Sequence, residues 1–324
     1  MATFTVDNNP TQATLTWTTV APSPIARFEA QGVTVSNKLY VFGGFVDGAL
    51  TTTKRSDVYD SSTNTWRRIA DLPELITHAA VVVDGQSIYL IGGYVGNSPG
   101  VSTSHVWKYS IPNNTWSAAP PLPAIRGAGA AVRLGRNLHY FGGAVRTASQ
   151  PVGVDRGNHY RLSLDGGTAW SSLAPLPNPR NHLGGATDGV VIYAVGGQHG
   201  EDEDNGNDAQ VDIYDPRTGT WIRTTDLPRP RGHISSSTFF KDGYIFVVGG
   251  AFNDFQPSAD VTAYDPVSAK WLTLPPLPQT RKTPVAGPIG SRIFSSTGNA
   301  GSGASPSKTT YRSSPFTMST PGSE

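Results

Sequence analysis

Cysteine is absent from all 324 residues, so disulfides, thiol nucleophiles and thiolate metal sites are excluded. Charge is scarce as well. Only 15% of residues are Asp, Glu, Lys or Arg and the formal net charge is +1, which leaves no bulk field to draw the chain to nucleic acid. No run approaches the roughly 18 apolar residues of a membrane-spanning helix, and no signal-like apolar stretch follows Met1. Amphipathic-helix periodicity is missing too: the apolar runs are short, β-branched and closed by Gly, Asp or Asn. What is plentiful is Gly (36) and Pro (26), dispersed among apolar and aromatic residues, the composition of a turn-rich all-β chain. Few lysines and many Ser, Thr, Asn and Gly are common in exported bacterial proteins. On that reading a leader has been removed, or the chain is one domain of a larger protein.

A repeat organises the whole sequence. Trp17, Trp66, Trp116, Trp170, Trp221 and Trp271 are 49, 50, 54, 51 and 50 positions apart, with only Trp107 out of register. Leu-Pro follows five of them, from Leu72-Pro73 to Leu277-Pro278, and Ser23-Pro24 takes that place after Trp17. Diglycines end five apolar runs, at Gly43-Gly44, Gly92-Gly93, Gly142-Gly143, Gly196-Gly197 and Gly249-Gly250. A tyrosine stands seven before the tryptophan in four copies (Tyr59, Tyr109, Tyr214, Tyr264), and Tyr160 stands ten before Trp170.

These residues resemble the kelch motif over roughly Thr14 to Ser313. The resemblance implies a β-propeller of four-stranded antiparallel blades. Hairpin turns are expected at Ser36-Asn37, Asp84-Gly85, Gly135-Arg136, Asp188-Gly189, Asp242-Gly243 and Gly290-Ser291. In the copy spanning Asn178 to Pro228, strands are expected at 184–187, 190–195, 210–214 and 220–224. The last copy has three strands and no tryptophan, whereas Trp17 begins the chain as a fourth strand without the other three. The strand at 14–20 is therefore expected to complete the C-terminal blade, giving six blades and no open edge. Blades are expected at about 25–73, 74–123, 124–177, 178–228, 229–278 and 279–313, as one propeller over 13–314 with tails at 1–12 and 315–324. Gly298-Asn299 stands where the last diglycine belongs.

In a four-stranded meander, the loops after the second and fourth strands share one face, and these loops carry the length variation here. Function is expected on that face. Three residues past the Leu-Pro proline the copies read Arg27, Ile76, Arg126, Arg180, Arg231 and Arg281, a pattern that would line a central funnel with guanidiniums suited to carboxylates. The alternative is that each arginine bonds carbonyls of its own blade. Two positions further on stand Glu29, His78, Ala128, His182, His233 and Thr283. Gln198, His199 and Phe252 complete the binding candidates, with Phe45, Tyr94 and Phe255 also following diglycines. In the loop after Gln198, the residues Glu201, Glu203, Asn205, Gly206, Asn207 and Asp212 imitate calcium-loop spacing, though with Glu for Asp at the first two places and Asp for Glu at the last. Calcium is thus the one cofactor this spacing suggests. No HxH or HExxH spacing points to zinc.

The expected function is a non-catalytic recognition module, binding an acidic peptide, a protein loop or an anionic glycan at the arginine-lined funnel. Such a module would be a monomer or part of a larger multidomain chain, with no nucleic-acid partner and no membrane span. Copper-radical chemistry of the kind some kelch enzymes perform needs a cysteine, and the ExxxDxxxH iron motif of nitrile-specifier-like proteins has no match, since Asn205 lies four after Glu201. A mutarotase or epimerase acting on an acidic sugar remains the enzymatic alternative, with Glu29, His182 and His233 as acid–base groups. A structural spacer is the third.

Overall fold

A computed structural model describes residues 13–200, 206–252, 255–301 and 303–318. Among the described residues, no helix is long and apolar enough to cross a membrane. The regular structure is antiparallel strand, arranged mainly as six four-stranded meanders. The first comprises Gln31–Val35, Lys38–Phe42, Ser56–Asp60 and Thr65–Ile69. The fourth comprises Gly184–Thr187, Ile192–Gln198, Asn207–Asp215 and Thr220–Arg223, with its middle strands longer than the apolar pattern alone predicts. The hairpin turns pass through left-handed backbone, at Ser36 of Ser36-Asn37 and at both residues of Asp242-Gly243; in the second sheet the turn is Gly85-Gln86, one residue later than expected.

The last sheet is built from both ends of the chain. Trp17–Val20 pairs antiparallel with Thr310–Ser313, which continues into Arg292–Ser296 and Val285–Ile289. The innermost strands neighbour one another in chain order, and Val285–Ile289 lies against Gln31–Val35 of the first sheet. Core residues fall into clusters between successive sheets. Tyr40, Phe42 and Val58 meet Ile88, Leu90 and Tyr109, whereas Val285 and Phe294 of the last sheet meet Leu39, Val41 and Tyr59 of the first.

The repeated tryptophans explain the spacing between sheets. Each half-buried or buried indole donates its Nε1–H to a carbonyl of the preceding sheet: Trp66 to Ala21, Trp116 to Ala70, Trp170 to Pro120, Trp221 to Ala174 and Trp271 to Thr225, at 2.8–3.0 Å. Trp17 does the same to Pro275 at 3.3 Å, so the N-terminal strand is strapped like any other outer strand. The diglycines are equally architectural. At Gly44, φ is +94° and a Cβ would stand 2.7 Å from the Phe28 carbonyl oxygen.

Two details differ from the sequence reading. In the last sheet the left-handed pair is Thr297-Gly298 (φ 61° and 88°), not Gly298-Asn299, so a threonine occupies the first diglycine place. The C-terminal segment also extends past the expected boundary at 314. Phe316 is buried edge-on against Phe246 at 4.9 Å, and Thr317–Met318 pairs with Ala13–Thr14.

Candidate functional site

The arginine series does not line an open funnel. Arg27, Arg126, Arg180, Arg231 and Arg281 are only 0–4% exposed, and each guanidinium turns into its own sheet. Arg180 donates to the carbonyls of Gly196 (2.7 Å), Ala194 (3.1 Å) and Asn178 (3.1 Å), and its charge is met by Asp212 at 2.8 Å. Arg27 pairs with buried Asp57, and Arg231 bonds Thr262 and the Asp260 carbonyl. Arg126 reaches Asn158, and Arg281 reaches Gln279 and Tyr311. In three sheets the cause is local: the first glycine of the diglycine turns its carbonyl out of the strand ladder, and that buried carbonyl accepts from the arginine, Gly43 from Arg27, Gly196 from Arg180 and Gly249 from Arg231. Burial pushes all five guanidiniums below their usual range, Arg231 to about 10.

The channel itself is lined by the residues two positions further on. Glu29, His78, Ala128, His182, His233 and Thr283 all adopt left-handed backbone, with φ between 49° and 56°. Repetition in every sheet marks this as architecture rather than strain peculiar to one site. Backbone hydrogen bonds link several of these positions around the axis: Ala128 N–H to the His78 carbonyl, His182 N–H to the Ala128 carbonyl, and Ile234 N–H to the His182 carbonyl. Glu29 N–H reaches Thr283 Oγ1 at 2.9 Å.

Four side chains converge inside this belt. The His78 and His182 rings are 5.0 Å apart, drawn together across the small Ala128, and His182 and His233 are 4.1 Å apart. His233 Nδ1 lies 2.8 Å from Glu29 Oε1, and His78 Nε2 lies 3.4 Å from Glu29 Oε2. Glu29, His182 and His233 are buried, and the His78 side chain is 8% exposed. Burial lowers the His78 imidazole to about 4 despite the nearby carboxylate, and it lowers His182 well below the ordinary range, helped by the neighbouring His233 and His78.

Above this cluster is a cavity of about 330 Å³, bordered by Glu29, His78, Phe28, Phe45, Arg146 and Lys282. Two of these are cations the sequence reading missed. Arg146 lies 4.4 Å over the Tyr94 ring and donates to the Pro99 carbonyl, and Lys282 Nζ lies 4.2 Å over Phe255. The only linear hint was position: Arg146 follows the Gly142-Gly143 diglycine closely, and Lys282 adjoins the repeated Arg281.

The remaining candidates lie elsewhere. His199 sits between Asp208 (3.2 Å) and Asp155 (3.5 Å), and these carboxylates raise it to about 9. Gln198 is buried and bridges to Asn181. Phe252 lies under the guanidinium of Arg229, 3.7 Å from its ring centroid, beside a separate surface cavity. Glu201, Glu203 and Asn205 of the calcium-like loop lie outside the described residues. Asp212, the twelfth place of that spacing, is 2% exposed and committed to Arg180 and Gln210, so it is not available to that loop.

Comparison with known proteins adds an independent line. Residues 3–254 match the family model described as the Attractin/LZTR1 beta-propeller. Similar curated proteins include the Kelch-like protein terF of Aspergillus terreus, 31% identical over 72% of this chain and 52% of that protein. A kelch repeat-containing protein of Arabidopsis thaliana is 25% identical over 84% of this chain and 68% of its own length. Mouse Kelch-like protein 35 is 30% identical over 63% of this chain and 32% of its length. The chain thus spans about half the length of the first of these relatives, and a third of the last.

Proposed function

Since this chain belongs to the kelch-repeat β-propeller family, we propose that it is a non-catalytic interaction module whose channel mouth receives an acidic side chain of a partner protein or peptide. The observation that carries this reading is the cavity of about 330 Å³ bordered by Arg146 and Lys282 and walled by Phe28 and Phe45. Cations held against aromatic faces in a partly dry recess favour a carboxylate there over bulk water, and the rings cover the rest of the incoming chain. The anion-binding charges are then these two residues rather than the five repeated arginines, which serve carbonyls of their own sheets. It is tested on an array of Asp- and Glu-containing peptides set against their Asn and Gln counterparts. Acidic peptides should bind selectively, and Lys282→Ala and Arg146→Ala should each weaken binding by roughly tenfold, in keeping with a charge-assisted contact, with the circular dichroism unchanged. Equal binding by wild type and both variants would sink the reading.

A second reading is favoured by one observation, the 2.8 Å contact between His233 and Glu29 beside this cavity. A carboxylate–imidazole pair there could move a proton on an acidic sugar, as a mutarotase or epimerase requires. Anomer exchange of uronic and sialic acids followed by NMR, no faster with the protein than in buffer, would dispose of it.

A further inference from the structure

We propose that Glu29, His78 and His182 form a binding site for a divalent first-row transition ion at the mouth of the central channel. One ligand atom from each of the three residues lies within 4.8 Å of the other two, and all three residues are buried. A tetrahedral ion with bonds of about 2.1 Å separates its ligands by about 3.4 Å, so modest side-chain rotation closes the set.

The stronger observation is the shell behind these ligands. The side-chain oxygen of Asn181 accepts from His182 Nδ1–H, and Asn181 is itself oriented by donating its amide to Asp155. The proton on Nδ1 leaves Nε2 of His182 as the lone-pair nitrogen, and this buried atom has no hydrogen-bond partner among the described residues. His78 is held in orientation: Thr77 Oγ1 lies 2.8 Å from its Nδ1, and Nε2 faces Glu29. His233 Nδ1 holds one oxygen of Glu29 and leaves the other facing His78. Each ligand is thus fixed in tautomer or orientation by its own outer partner, as metal ligands are. Two imidazoles and one carboxylate leave coordination positions open to an exogenous ligand. Glu29 and His78 also border the mouth cavity, which supplies an entry path. Arg146 and Lys282 border the same cavity and oppose a dication, so Glu29 must offset them, and an anion is the exogenous ligand they would favour on the ion. The site does not depend on the peptide-binding reading.

The test is addition of Co²⁺, then Zn²⁺, to the chelator-treated full chain. One Co²⁺ per chain should bind and give visible d–d absorption of a four- or five-coordinate ion, and Zn²⁺ should displace it. His182→Ala and His78→Ala should each weaken binding by more than about 100-fold, and Asn181→Ala by about tenfold, the scale of an outer-partner loss. Alanine is compatible with this backbone, because Ala128 occupies the equivalent place in the third sheet with φ 53°. Absence of the Co²⁺ band, or equal binding by the His78→Ala/His182→Ala double variant, overturns the proposal; the latter would direct attention to His199 with Asp155 and Asp208.

Discussion

At the scale of the residue, Arg180 illustrates how a repeated charge can be structural. Its guanidinium reaches three carbonyls at 2.7–3.1 Å and a buried carboxylate, Asp212, at 2.8 Å. Removing it leaves Asp212 charged, buried and without its ion-pair partner, a loss that costs about 3–5 kcal/mol in comparable cases. Arg180→Ala is therefore expected to lower the urea midpoint of unfolding sharply, whereas a funnel-lining arginine would lose ligand with its stability intact. An unchanged midpoint would refute the structural role. At the channel the logic reverses: His182 has a buried nitrogen with no hydrogen-bond partner among the described residues, and that is where a ligand is expected.

Among the elements, the third sheet carries a buried pair of titratable groups on adjacent strands. His139 on Asn137–Phe141 places its Nδ1 2.9 Å from Nε2 of His159 on His159–Ser163. Burial pulls them down to about 4 and about 3. The folded values lie below the unfolded value near 6.5, so the unfolded chain takes up protons first as pH falls. Their contribution to stability is complete above about pH 6.5 and is lost progressively toward pH 4 and 3. Urea midpoints measured from pH 7 to pH 4.5 should fall with acidification, and a His139→Gln/His159→Phe variant should give a flatter profile; parallel profiles would contradict this. His199 works in the opposite direction. Its raised value of about 9 means a contribution present below pH 6.5 and lost as pH rises through 9, and its half-exposed position keeps that contribution small.

For the whole molecule, the decisive contact is between the chain's two ends. Trp17–Val20 covers the edge of Thr310–Ser313, and Leu15 joins Phe246, Val248 and Phe316 in one cluster. Deleting residues 1–21 removes Leu15, the Trp17 indole and a ladder of strand hydrogen bonds, and it exposes a strand edge prone to pairing with another chain. A loss of at least about 3 kcal/mol is expected from the buried apolar side chains alone. A melting temperature several degrees lower, with concentration-dependent light scattering, should follow. A truncated chain that melts like the full one would show that the closure contributes little.

The fold was legible in the linear sequence because its determinants are local and recur. Tryptophans about 50 residues apart, diglycines and short hairpin turns each act within one sheet or on its neighbour. Even the closing strand could be read, since Trp17 lacked three companions and the last copy lacked a fourth. Where the arginines turn was not legible. Funnel and carbonyl networks require the same residue at the same spacing, and the choice depends on where the diglycine bend leaves its carbonyls. The channel cluster was hidden for a different reason. Glu29 and His233 meet from 204 positions apart, and His78 and His182 meet across an intervening alanine. No linear spacing encodes that meeting; it exists only once the sheets surround a common axis.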